Sequence, residues 1–410
     1  MTKTMALMAS LLFSHTTMAQ VEFLHWWTSQ GEQRALNELK QELEKHNMPI
    51  SMSPVTGGGG DSALTVLQAR ALAGNTPTFA QIEGPSIKAW DAIGILYNLN
   101  PTANAQRWEQ TLYPLAIDIN KTINGYVALP MTLHRLNWLW VNNTLLSKLQ
   151  LTPPQTWEEM LSAMETAKTQ GIIPLAIGEQ PWQIAQLFES LIIAYGGVEF
   201  YKTALVQLKP EQIDSPQMRR ALKKFRRLSL LLEKLEPNQK WDTATQALAE
   251  DRALFQLGGD WILGDLLARG KSVPQQIACY PAPQSHDIFL YNMDSFIFMS
   301  GNMTSHQQAN KLATIMANRD FQIRFNKLKG SIPPRLDIDM RHFNDCQQQS
   351  YQDFKRAVQQ GRAAPSMTDS MALNPVAQQA MNSAIFRFYR DKSVTADDMI
   401  KRIIGIAESN

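Results

Sequence analysis

From residue 21 onward, short apolar runs alternate with stretches of helical spacing. Residues 21–27 are branched and aromatic, a strand signature, and residues 32–46 follow with apolar positions at Leu36, Leu39 and Leu43, the spacing of one buried helix face. Residues 50–55 alternate again, and the glycine run 57–60 opens a helix reaching Ala73. A third strand is predicted over 78–82 and another helix around 87–93. Strands and helices in this order predict an α/β fold with a parallel-type sheet.

The pattern then changes and later returns. Residues 125–142 form a long, extended, aromatic-rich stretch, after which helices are predicted over 156–170, 182–195, 217–232 and 241–255. Strand signals come back at 277–280 and 289–299. The chain is too long for one ordinary domain at 410 residues, so two lobes are expected. Crossings between them are predicted near 129–132, 280–282 and 326–332. This gives one lobe from 20–130 plus 282–328, and a second from 131–281 plus 329–410.

Charge removes one class of partner. Thirty-nine Lys and Arg against 37 Asp and Glu leave a net +2, without the basic stripe that nucleic acid demands. Lys3, the apolar run 5–13 and Thr17-Met18-Ala19 have the form of a signal peptide over residues 1–19, with Gln20 as the mature start and no cysteine after it to carry a lipid. An exported, periplasmic protein is expected. Its two cysteines, Cys279 and Cys346, then sit where thiols oxidise, so one disulfide is expected, with two buried thiols as the alternative.

Local motifs for chemistry are sparse. Asp61 stands where a phosphate loop needs Lys, so the glycine run reads as a tight turn into a helix, with Asp61 or Ser62 as the cap. The seven histidines are scattered, no nucleophile elbow appears, and no metal or cofactor is expected. Widely separated carboxylates keep an extracellular glycosidase open as the enzyme alternative. Ten tryptophans suit a sugar site, where a flat aromatic face meets C–H groups and polar side chains bond the hydroxyl rim. Trp26 and Trp27 end the first strand with Glu32 just beyond; each of the two indoles could equally belong to the core. If the cleft aromatics are core, an interaction protein without a small ligand is the remaining class.

Several segments together resemble the extracellular solute-binding proteins of ABC transporters that take sugars, in particular their glucose- and mannose-binding branch. They are His25-Trp26-Trp27-Thr28-Ser29, residues 57–63, His134-Arg135-Leu136-Asn137-Trp138, Gln180-Pro181-Trp182-Gln183, Gly259-Asp260-Trp261, Asn292-Met293-Asp294-Ser295-Phe296, Lys329-Gly330-Ser331-Ile332-Pro333 and Pro365-Ser366-Met367. The resemblance runs over nearly the whole chain after residue 21. It implies two α/β lobes of the type II periplasmic binding fold, joined by a multi-strand hinge with the ligand cleft between them.

The same resemblance implies roles. Trp27 would stack on the sugar with Trp26 beside it, Trp261 would form a second aromatic wall, and Glu32, Asn292, Asp294 and Lys329 would bond hydroxyls. Trp182 and His134 would contact the ligand or support those that do. Two positions depart from the branch: Glu83 stands where Lys is usual, and Asp369 where His is usual. Both replace a donor with an acid, which suits a cationic amino sugar, with a neutral hexose or short oligosaccharide as the alternative. The implied partner is an ABC permease, with a sensor kinase as the alternative, and a monomer is expected.

Overall fold

The computed structural model describes residues 21–57, 60–232, 239–301 and 306–409. The expected signal peptide, Gly58 and Gly59 of the glycine run, and the side chain of Asp61 lie outside the described residues.

Three parallel strands open the chain: β1 (Val21–His25), β2 (Ile50–Pro54) and β3 (Phe79–Glu83), with β1 in the middle. A small hairpin of β4 (Lys121–Thr122) and β5 (Gly125–Tyr126) precedes two long strands, β6 (Ala128–Arg135) and β7 (Trp138–Asn142). Then come β8 (Ile173–Ala176), β9 (Ala253–Gly258), β10 (Ile277–Pro281), β11 (Phe289–Phe298) and β12 (Ala363–Pro365).

The strands sort into two mixed sheets and hence two α/β lobes. The first sheet runs β12-β11-β3-β1-β2, with β6 on the other side of β11. The second runs β10-β7-β9-β8. All ten residues of β11 are buried, because it pairs antiparallel with β3 and β6 and parallel with β12.

The chain leaves the first sheet at Leu136 and Asn137 and re-enters it between Pro281 and Phe289. Asn137 fixes both passages at once. Its Nδ2 donates to Ser285 Oγ (3.0 Å) and Ile288 O (2.9 Å), while its Oδ1 accepts from the Leu290 N–H (3.1 Å). Beside it the fully buried Arg135 pairs with Asp353 at 2.6 Å and lies 4.3 Å over the Trp138 ring.

Two helix expectations need correction. The helix expected over 241–255 ends at Ala249, Asp251 turns the chain with φ 56°, and residues 253–258 become β9. That apolar run fits a buried helix or a buried strand equally well by spacing; the slot between β7 and β8 decides it. The helix Asp61–Leu72 is entered from Gly60, left-handed at φ 80°, which has no side chain with which to cap. Cys279 in β10 and Cys346 in the helix Asp345–Gln359 form a disulfide with 6.1 Å between Cα atoms, which removes the free-thiol alternative. Closing a loop of 67 residues stabilises by about 4 kcal/mol in the chain-entropy picture.

Candidate functional site

Strand alternation builds a polar floor. Side chains two apart share a face, so Gln81 with Glu83, Thr132 with His134, and Asn292 with Asp294 project to one side of the first sheet. Ile82, Leu133 and Met293, one position away, are fully buried on the other. Register then sets the neighbours: Glu83 lies opposite Asp294, and Asn292 opposite His134. Asp294 is the hub. It accepts from Gln81 Nε2 at 2.6 Å and Thr132 Oγ1 at 2.8 Å, and its Oδ2 lies 3.1 Å from His134 Nε2.

The floor separates its titrating groups in opposite directions. Burial opposes the Asp294 anion, but the hydrogen bonds and charges of His134, Lys329 and Thr132 prevail and hold it well below the usual carboxylate range. Burial, then the charges of Asp294 and Asp369, pushes the Glu83 carboxyl well above that range, against the pull of Lys329. Glu83 therefore keeps a proton where a free carboxyl has lost it, and its Oε1 accepts from Asn292 Nδ2 at 2.9 Å.

His134 joins the two lobes beneath the cavity. Its Nδ1 meets Asp260 Oδ1, and Asp260 Oδ2 accepts the Arg135 backbone N–H at 3.0 Å. Burial disfavours the imidazolium, yet the charge and hydrogen bond of Asp260, with the hydrogen bond of Asp294, raise its pKa above the ordinary value. His25 behaves in the opposite way: burial lowers it to about 4, and its neutral Nδ1 accepts the Trp27 N–H at 3.2 Å.

Helix ends supply the next groups. Ser29 and Glu32 form a capping box for the helix Gln30–Lys45 in which Glu32 Oε2 accepts the N–H groups of Thr28 (2.9 Å) and Ser29 (3.0 Å). The other oxygen, Oε1, receives Lys329 Nζ at 3.2 Å. Lys329 ends the helix Arg319–Lys329, and Gly330 after it, at φ 94°, approaches Asp260 so closely that a Cβ would stand 2.3 Å from its carbonyl oxygen. Only glycine allows that approach, which seats Lys329 over the Trp27 ring, 5.1 Å from its centre.

The second lobe contributes an aromatic wall. Trp261, at the start of the helix Trp261–Ala268, meets Trp182 edge-on at 6.0 Å, Trp241 at 6.4 Å and His134 at 5.5 Å. Gln180 crosses to the first lobe, its Nε2 donating to Gly57 O at 3.3 Å while its Oε1 accepts from Trp182 Nε1 at 3.2 Å. Asp369 arrives on a segment held by the buried Glu189, which accepts from Ser366 Oγ (2.9 Å) and the Met367 N–H (2.7 Å). Gln186 Nε2 donates to Asp369 Oδ2 at 3.2 Å.

All ten residues singled out in the sequence, Trp26, Trp27, Glu32, Glu83, Trp182, Trp261, Asn292, Asp294, Lys329 and Asp369, line one cavity between the lobes. The adjacent indoles differ: Trp27 is 1% exposed among Phe23, Phe296 and Phe325, whereas Trp26 is partly exposed. Sequence reasoning missed Lys240, Trp241 and Asp242 in the lining. They begin a helix, and a tryptophan at a helix start beside charged neighbours was the one available signal.

Comparison with known proteins is consistent over the whole length. The profile of the family described as bacterial extracellular solute-binding protein matches residues 38–380. A probable sugar-binding periplasmic protein of Mesorhizobium japonicum is 34% identical over 407 residues, covering 97% of this chain and 96% of the relative. Another from Brucella suis is 32% identical over 389 residues, covering 95% and 92%. Among solved structures, a chitin oligosaccharide binding protein shares the fold at a TM-score of 0.79 and 16% identity, over 95% of this chain and 98% of that one. The maltose-bound MalE3 of T. maritima does so at 0.74 and 14%, over 95% and 99%. The family is one of binding proteins, which sets the glycosidase alternative aside. With five-sixths of its length inside that profile, this chain belongs to the bacterial extracellular solute-binding proteins.

Proposed function

We propose that this chain is the sugar-capturing component of an ABC importer, exported by the leader at residues 1–19, and that it takes a monosaccharide of the glucose type between its two lobes. One observation carries the reading: indoles from the second lobe and hydrogen-bonding groups from the first line a single cavity between the lobes. Trp261, Trp182 and Trp26 offer flat faces to the C–H side of a pyranose. Glu32, Asn292, Asp294 and Lys329 offer acceptors and donors to its hydroxyls. Trp27, sealed among phenylalanines, supports Lys329 from below and offers its remaining edge. The sugar-binding names of the relatives in Mesorhizobium and Brucella support the same substrate class.

Capture works by closure: a ligand bonded to both lobes stabilises the closed arrangement by as much as it prefers it. The closed form is what a permease would accept. A screen of hexoses, pentoses and disaccharides by thermal shift tests the reading, because a ligand that binds only the folded state raises Tm by mass action; at a hundredfold excess over Kd the gain is about 2.7 kcal/mol. A Tm rise of several degrees with a monosaccharide is expected. A flat response to every sugar would sink the proposal.

A further inference from the structure

We propose that the cavity is built for a monosaccharide carrying a protonated amine, whose ammonium sits among Glu83, Asp294, Asp369 and the amide oxygen of Asn292. The inference rests on the sugar-binding reading above and names the ligand class within it.

The first argument is charge. Among the described lining residues that are buried, four carry carboxyls, Glu32, Glu83, Asp294 and Asp369, and two carry cationic groups, His134 and Lys329. The Lys329 ammonium is engaged by Glu32, and His134 lies between Asp260, a further buried acid behind the floor, and Asp294. The surplus is negative and lies on the Glu83 side. Glu83 responds by retaining its proton, with burial and then Asp294 and Asp369 as the cause. A ligand bringing one positive charge removes the reason for that proton.

An unmade hydrogen bond is the second, independent argument. Asn292 is 4% exposed and lines the cavity, and its Oδ1 has no hydrogen-bond partner. Leaving a buried acceptor unpaired is costly, so the site is complete only when a donor arrives. An ammonium carries three donors on one atom, enough to satisfy Asn292 and two of the surrounding carboxyls together. A bare metal cation fits less well, because no group of three or more His, Cys, Asp or Glu side chains is placed to hold one among the described residues. An organic cation can also rest its ring against the indole wall.

Titration calorimetry on the full exported chain with glucosamine, galactosamine, N-acetylglucosamine, glucose and galactose tests this. One amine is expected to bind roughly tenfold to a hundredfold more tightly than its hydroxyl counterpart and than the neutral N-acetyl form, the range of a charge-assisted hydrogen bond. Binding should release a proton from Glu83, seen as a heat that varies with the buffer's ionisation enthalpy. The groups facing Glu83 are Asp294 on β11, Asp369 after β12 and Lys329 from its helix, with His134 and Asp260 behind Asp294. Glu83→Gln copies the protonated acid and should keep the fold while abolishing the proton release and cutting amine affinity tenfold or more. A neutral hexose bound as tightly as its amine overturns this proposal and leaves the sugar reading standing, as does amine preference without proton release. Failure of every sugar, charged or neutral, overturns both.

Discussion

The floor supplied by β3, β6 and β11 and the wall supplied by the second lobe respond differently to the loss of one member. On the floor, buried ionic groups hold one another in place: Asp294 binds Gln81, Thr132 and His134, and His134 binds Asp260. On the wall, Trp182, Trp241 and Trp261 touch edge to face, and no indole depends on another for its charge or proton. The floor is thus a cooperative network and the wall a set of separable contacts. Asp294→Ala should therefore show the largest effect, about 3–5 kcal/mol of stability in urea unfolding, because it leaves the His134 imidazolium with one acid and orphans two donors. A loss under 1 kcal/mol would show that the network is not cooperative.

Trp261→Ala sharpens the same contrast. Truncating a buried tryptophan costs about 3–5 kcal/mol in a close-packed core, but Trp261 turns one face to the cavity, and its neighbours lose only edge contacts worth about 0.5–1.5 kcal/mol each. Stability should fall by about 2–3 kcal/mol, and sugar affinity should collapse at temperatures where the variant remains folded. A variant that binds as the parent does would remove the wall from the site.

How far the sequence reveals this arrangement follows from the same physics. The floor was legible where strand period and residue type agree: Asn292 and Asp294, two apart in an apolar strand, are polar groups that a two-sided buried strand would not carry without use. Glu32 was legible through its place after Ser29 at a helix start. Lys240 and Trp241 were not, since a charged residue and an indole at the start of a helix are ordinary surface features until the fold sets Trp241 against Trp261 and both in the cavity lining. The strand β9 was hidden for another reason. Its apolar run carries no periodicity, so only pairing between β7 and β8 distinguishes it from the helix expected there. The protonation of Glu83 was beyond reach of the sequence, because it depends on register placing Asp294 opposite it.

The floor should also make stability depend on pH, and the wall should not. His134 has a raised pKa, so its contribution is complete below about 6.5 and is lost as pH climbs through its folded value. Glu83 holds a proton in the fold that the unfolded chain releases near 4.5, so its site loses stability as pH rises from there. Asp294 acts in the opposite sense: its contribution is present above about 3.8 and fades as pH drops toward its lowered folded value. In the ligand-free protein these floor groups favour pH 5 over pH 8 and weaken the fold again below pH 4, while His25, which burial lowers to about 4, opposes them by losing stability as pH falls below about 6.5. Glu83→Gln should flatten the slope between pH 5 and 8 without altering the acid limb. An unchanged slope would mean that Glu83 is ionised as Asp294 is.

The smallest effect is expected where floor and wall meet across the gap. Gln180 Nε2 donates to the Gly57 carbonyl of the other lobe, a neutral hydrogen bond at 3.3 Å, of a kind worth about 0.5–1.5 kcal/mol net. Each lobe folds around its own sheet, so Gln180→Ala should leave the urea midpoint almost unchanged. It should instead weaken sugar binding roughly three- to tenfold, because the lost bond favours the closed arrangement that the ligand also favours. The deficit should appear mainly as faster release rather than slower capture, since the bond forms only after the lobes approach. Stopped-flow tryptophan fluorescence separates the two rates. A slower association with unchanged release would place Gln180 in the open cleft's encounter surface, and the division between floor, wall and the bond joining them would have to be redrawn.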